Sequence, residues 1–143
     1  MQAITKFRLE PLDGGERSRL LSAEGSGVEV DGVSLELQFQ CSRGDLVITS
    51  DDVPHEEMLH FYFLSDAGKI LDELSLGQMY TPGILRNVVA HPDDRLDFSF
   101  FGTERWSLTI LEKPVSRPPT LFSSVKREGW FGLHYLNLEK VGQ

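Results

Sequence analysis

Four histidines, one cysteine and 22 acidic residues are the groups of this 143-residue chain that could do acid–base, metal or nucleophile chemistry. Their spacing decides which chemistry is open. His55 and His60 stand five positions apart in "PHEEMLH". On a helix that offset is a rotation of about 140° beyond a full turn. On a strand it sends the two rings to opposite faces. Neither geometry puts both imidazoles on one metal. Cys41 has no base near it in sequence, and such a cysteine is more often an inert packed group than a nucleophile. The chain holds no glycine-rich phosphate loop and no Gly-x-Ser-x-Gly run. What remains is Ala90-His91-Pro92-Asp93-Asp94, an imidazole with two carboxylates beside it. A catalytic zinc takes three protein ligands and keeps one position open for water. The same five residues also read as a turn, with Pro92 fixing φ and the Asp side chains bonding nearby backbone.

The Ala90–Asp94 run resembles the opening motif of the zinc-dependent N-acetylglucosaminyl deacetylases. That resemblance, which covers five residues, implies His91 and Asp94 as metal ligands, Asp93 as the base, and a later histidine to complete the site. Only His134 lies downstream. In that family the motif precedes a glycine-rich helix in a parallel α/β fold. Here Arg95 follows where the family carries an acid, and the next residues alternate as a hairpin. A second stretch, "GDLVITSDDVPH", resembles the second cupin motif: a glycine, a strand, a tight turn and a metal-binding histidine. Gly44 and His55 match in type and spacing. Ser50 and Asp52 replace the usual Pro and Gly, Leu59 stands where Asn is common, and no histidine precedes His55 to build the first motif. A metal-dependent enzyme, through His91, Asp93 and Asp94 or through His55, is therefore the alternative expectation. The leading one has no catalytic group, no metal and no cofactor.

Charge points to a binding role. The net charge is −8. Residues 1–112 carry 20 acids against 9 bases, and residues 113–143 carry 2 against 5. Between residues 45 and 73 lie eight acids (Asp45, Asp51, Asp52, Glu56, Glu57, Asp66, Asp72 and Glu73) and a single base, Lys69. Such a field repels phosphate backbones and anionic lipid, so neither nucleic acid nor membrane is an expected partner. It attracts basic proteins and speeds their encounter. Asp51, Asp52, Glu56 and Glu57 are the carboxylates expected to meet Lys or Arg on a partner, with Trp130 as an aromatic anchor beside Lys126 and Arg127. The specific form of this expectation is an immunity or inhibitor protein that neutralises a basic toxin or nuclease. A third reading is an oligomeric accessory protein whose edge strands pair between subunits.

The elements that must carry these groups are mostly strands. In "GVSLELQFQ", Val33, Leu35, Leu37 and Phe39 share one face and Ser34, Glu36, Gln38 and Gln40 the other, the period of a half-buried strand. Asp31-Gly32 before it is a two-residue hairpin signal. "LVITS" and "MLHFYFL" read as further strands. Leu96, Phe98 and Phe100 alternate, Gly102-Thr103-Glu104 turns, and Trp106, Leu108 and Ile110 alternate back. "GWFGLHYLNLEKV" closes the series. Three stretches have helical features: Ser65–Gly77, Thr81–Val89 and Pro119–Gly129, each with a capping or stop residue.

The expected class is mainly β, an antiparallel sandwich or barrel with one to three short helices, α+β being the variant. At this length the chain forms one domain, residues 1–143, and buries about two-thirds of its surface. One cysteine gives no internal disulfide, the first residues lack the apolar core of a signal peptide, and no run approaches the roughly 20 apolar residues of a membrane span. The cytoplasm is the expected compartment.

Overall fold

The computed structural model describes residues 1–25, 27–53, 56–78, 80–116, 124–127 and 132–142. The protein is built of antiparallel β-strands in three stacked sheets. The central sheet has six strands in the order β1 (Gln2–Ala3), β5 (Ser34–Cys41), β6 (Gly44–Ser50), β7 (Leu59–Leu64), β8 (Ile70–Leu76) and β12 (Val125–Lys126). A four-stranded sheet runs β13 (Leu133–Gly142), β11 (Arg105–Ser116), β10 (Arg95–Ser99) and β9 (Arg86–His91). The third is the meander β2 (Phe7–Pro11), β3 (Arg17–Ser22) and β4 (Gly27–Asp31).

The central sheet is apolar on both faces, and that explains its sequence. Phe39, Leu46, Ile48, Phe61, Phe63 and Leu74 face the four-stranded sheet and pack on Leu96, Phe98, Trp106, Leu108 and Leu136. Val47, Tyr62 and Leu64 face the other way, onto Phe7, Leu20 and Val30 of the meander. A strand covered on both sides loses the alternation of a half-exposed one. Every residue of β6 and β7 is accordingly buried, matching the unbroken runs "LVITS" and "LHFYFL".

Polar stitches hold the meander to the sheet beneath it. The Asp31 amide donates to Tyr62 Oη at 2.7 Å, Thr49 Oγ1 donates to Asp31 O at 2.7 Å, and Lys6 and Phe7 amides both donate to Gln38 Oε1 at 2.8 Å. On the opposite side Asp72 of β8 reaches β13. Its Oδ2 accepts from the Tyr135 and Leu136 amides at 2.8 and 2.9 Å, and its Oδ1 lies 2.6 Å from His134 Nδ1.

The expected β10–β11 hairpin forms, with Phe98 opposite Trp106 and Leu96 opposite Leu108. Several local expectations are corrected. Asp31-Gly32 does not make a hairpin, because β4 and β5 belong to different sheets. Gly32 does take positive φ, +95°, and a Cβ there would fall 2.5 Å from Thr49 Oγ1, but the turn carries the chain from one layer to the next. Leu35 does not share a face with Leu37 and Phe39. A register shift between Leu35 and Leu37 flips it toward the meander. The helical reading of Ser65–Gly77 gives way to a tight turn, Gly68 N to Ser65 O at 2.8 Å, followed by β8. Thr81–Val89 is a loop running into β9. Of Pro119–Gly129 only residues 124–127 lie within the described region, and Val125–Lys126 is strand. No helix among the described residues is long and apolar enough to cross a membrane.

Candidate functional site

The β6–β7 connection, residues 51–58, carries the carboxylates singled out in the sequence, and the fold divides them. Two adjacent antiparallel strands end here, so the loop must turn back within a few residues and its amides need acceptors. Glu57 supplies one. Its side chain is buried, and Oε1 accepts from the Asp51, Asp52 and Met58 amides at 2.9, 3.1 and 3.1 Å. Asp51 also turns toward the protein, with Oδ1 2.8 Å from His60 Nε2. Asp52, at φ +57°, and Glu56 face solvent. Of the four carboxylates expected to meet a partner, Asp51 and Glu57 therefore build the loop, and Asp52 and Glu56 remain on its outside. His55 and Trp130 lie outside the described residues.

The outward pair does not stand alone. Glu56 Oε1 accepts the Tyr80 amide at 3.2 Å and so ties this loop to the β8–β9 connection, residues 77–85. Tyr80 is held at φ +56°, a conformation uncommon for a bulky residue. Its side chain is thrown outward, 82% exposed. Val53 and Ile84, 49% and 56% exposed, lie on the same two loops. Between the loops runs a groove of about 260 Å³ lined by Glu36, Asp52, Glu57, Ile84, Leu85 and Phe100. Gly83 lets the second loop lie directly on the core, since a Cβ there would meet the Phe100 ring at 2.3 Å. The two loops thus carry exposed apolar and aromatic side chains and, between them, a groove with carboxylates in its lining and Phe100 beneath it.

The metal alternatives fare differently. His91 Nε2 lies 2.9 Å from Asp97 Oδ2. Asp94, at φ +57° in the β9–β10 turn, accepts the Ser42 amide at 3.2 and 3.3 Å. Asp93 is largely exposed and 4.0 Å from Arg95. The three side chains diverge and do not fit a zinc centre; the run is the β9–β10 turn, but its Asp94 carboxylate bonds the backbone of the distant β5–β6 turn and not its own. Among the described residues no group of three or more His, Cys, Asp and Glu could hold a metal ion. The Asp97 carboxyl is pulled in two directions. Burial raises its pKa, while hydrogen bonds from Ser107 and His91 and the nearby Arg95 charge lower it further, leaving it below the ordinary value.

Three features escaped the sequence. The exposed Tyr80 and Ile84 sit in a loop that reads as a helix start, where Tyr80 before Thr81-Pro82-Gly83 was the only signal. Asp72 and Glu57, counted as surface charge, are interior acceptors of backbone amides. His60 meets both Asp51 and, through Nδ1 at 2.8 Å, Ser75 Oγ. That contact depends on strand register and has no signature in the order of residues. No protein-family model, curated protein or solved structure matches the chain.

Proposed function

We propose that the protein is a binding module whose recognition surface is formed by residues 51–53 and 56–58 of the β6–β7 connection with 77–78 and 80–85 of the β8–β9 connection, and that its partner is a basic protein. The observation that carries this reading is Tyr80: an aromatic side chain 82% exposed, fixed at positive φ and tethered by Glu56. Large aromatics surrounded by a polar rim dominate binding energy at protein interfaces, because they bury much area at little cost in rotamer freedom. The rim here is acidic, with Asp52, Glu56 and the groove residue Glu36, on a chain of net charge −8. Lysine or arginine side chains of a partner would enter the groove beside Tyr80, and the overall field would steer the encounter. A toxin or nuclease whose own substrate is polyanionic presents that kind of surface, and an inhibitor would act by covering it.

The test is affinity capture at low salt, identification of a basic protein, and titration of the purified pair by calorimetry. Tyr80→Ala is expected to weaken binding by about 2 kcal/mol or more, roughly 30-fold. Asp52→Asn with Glu56→Gln is expected to slow association and flatten its salt dependence. A partner that binds Tyr80→Ala as tightly as the parent, or whose affinity ignores salt, would remove the basis for this reading.

A further inference from the structure

The row of cross-strand partners Thr49, His60, Ser75 and Lys126 crosses the central sheet on the face that also carries Tyr62. Within it, Asp51 Oδ1 lies 2.8 Å from His60 Nε2, and His60 Nδ1 lies 2.8 Å from Ser75 Oγ. We propose that Ser75 is a nucleophile, activated by His60 as base and Asp51 as the carboxylate that orients it, acting on small acyl esters. A carboxylate, an imidazole and a hydroxyl in one hydrogen-bonded chain is the arrangement that such catalysis requires, and it is recognised by geometry and not by position in sequence.

The assignment of roles follows from the partners. A carboxylate accepts hydrogen bonds, so Nε2 carries the hydrogen given to Asp51. That leaves Nδ1 with its lone pair facing the Ser75 hydroxyl. Relative to the common serine-hydrolase arrangement, the two ring nitrogens exchange places; either can take a proton. Exposure is graded in the direction the chemistry needs. His60 is buried, 6% exposed, whereas Ser75 is half-buried and borders a small depression also lined by Asp31, Tyr62, Glu73 and Lys126. The base is shielded while its hydroxyl partner meets solvent. Lys126, the cross-strand neighbour of Ser75, also lines this depression, with its Nζ donating to the Gly77 carbonyl at 3.1 Å.

In the first step Ser75 Oγ bonds to the ester carbonyl carbon and its proton passes to His60 Nδ1. The carbon–oxygen bond to the leaving alcohol then breaks, and His60 returns that proton to the departing oxygen. Water repeats the sequence on the acyl-serine and releases the carboxylic acid. The depression is small, so acetyl-sized acyl groups fit best.

A fluorophosphonate probe and p-nitrophenyl acetate test the proposal on the full chain. Folded wild-type protein is expected to form a phosphonyl adduct on Ser75, located by peptide mass spectrometry, and to release a burst of p-nitrophenol. The labelling rate is expected to fall about 10²- to 10⁴-fold in His60→Gln and in Asp51→Asn, and to vanish in urea. No adduct on Ser75 in the folded protein would overturn it. So would labelling that persists in urea, or a rate unchanged by Asp51→Asn. The urea control and Asp51→Asn keep the test decisive if His60→Gln does not fold. The outcome is independent of whether Tyr80 binds a partner.

Discussion

Cys41 illustrates how a residue's chemistry is set by what surrounds it. It sits at the end of β5, and burial, with the Asp94 carboxylate adding to it, pushes its thiol from 9.0 up to about 12. The thiolate is the reactive form, so at pH 8 the folded protein is expected to alkylate with iodoacetamide far more slowly than in urea, followed by mass spectrometry. The sign of the linkage follows. A folded thiol that resists ionisation stabilises the fold fully below pH about 9, and that contribution is lost as pH rises toward 12. The same residue-scale logic separates the acids of the β6–β7 loop. Composition counts Glu57 and Asp52 alike, yet one satisfies three amides and the other meets water. Which acid does which is decided by the turn geometry, and sequence alone carries only their sum.

At the level of elements, alternation was the legible signal. Strand β10, the return strand β11 and the closing strand β13 all follow from it. Alternation misleads where two periodicities compete. Ile70, Leu71 and Leu74 have helical spacing, but Ile70, Asp72, Leu74 and Leu76 also have strand spacing, and Asp72 is what resolves the choice. An acid at an inward strand position looks like a breach of the pattern until β13 is in place to give it amides. Asp72 is thus a clasp between two sheets. Asp72→Ala removes the partner of His134 and strands the Tyr135 and Leu136 amides. Breaking a buried pair of this kind costs about 3–5 kcal/mol, measurable by urea unfolding. The site was less legible than the fold. Tyr80 and the His60–Ser75 contact depend on loop conformation and strand pairing, neither of which is written in local composition.

On the scale of the whole molecule, one sheet serves two cores. Leu20 lies in the layer under the meander and Leu108 in the layer under the four-stranded sheet, both essentially inaccessible. Each substitution to alanine is expected to cost about 2–5 kcal/mol in denaturant unfolding. Because the two sites share no contact layer, the double variant is expected to lose the sum within about 0.5 kcal/mol. A large excess over the sum would mean that the central sheet transmits strain between layers. The doubly covered ribbon β6–β7 also carries a hazard before the protein has folded. "LVITS" and "LHFYFL" combine high strand preference with no Asp, Glu, Lys or Arg, which is the composition that drives chains to aggregate while still unfolded. Asp45, Asp51, Asp52 and Asp66 stand just outside the two segments, where flanking charge interrupts stacking of like chains. Part of the acidity of this region thereby protects the nascent chain, and neutralising the exposed Asp52 and Asp66 would lower refolding yield before it altered the finished fold.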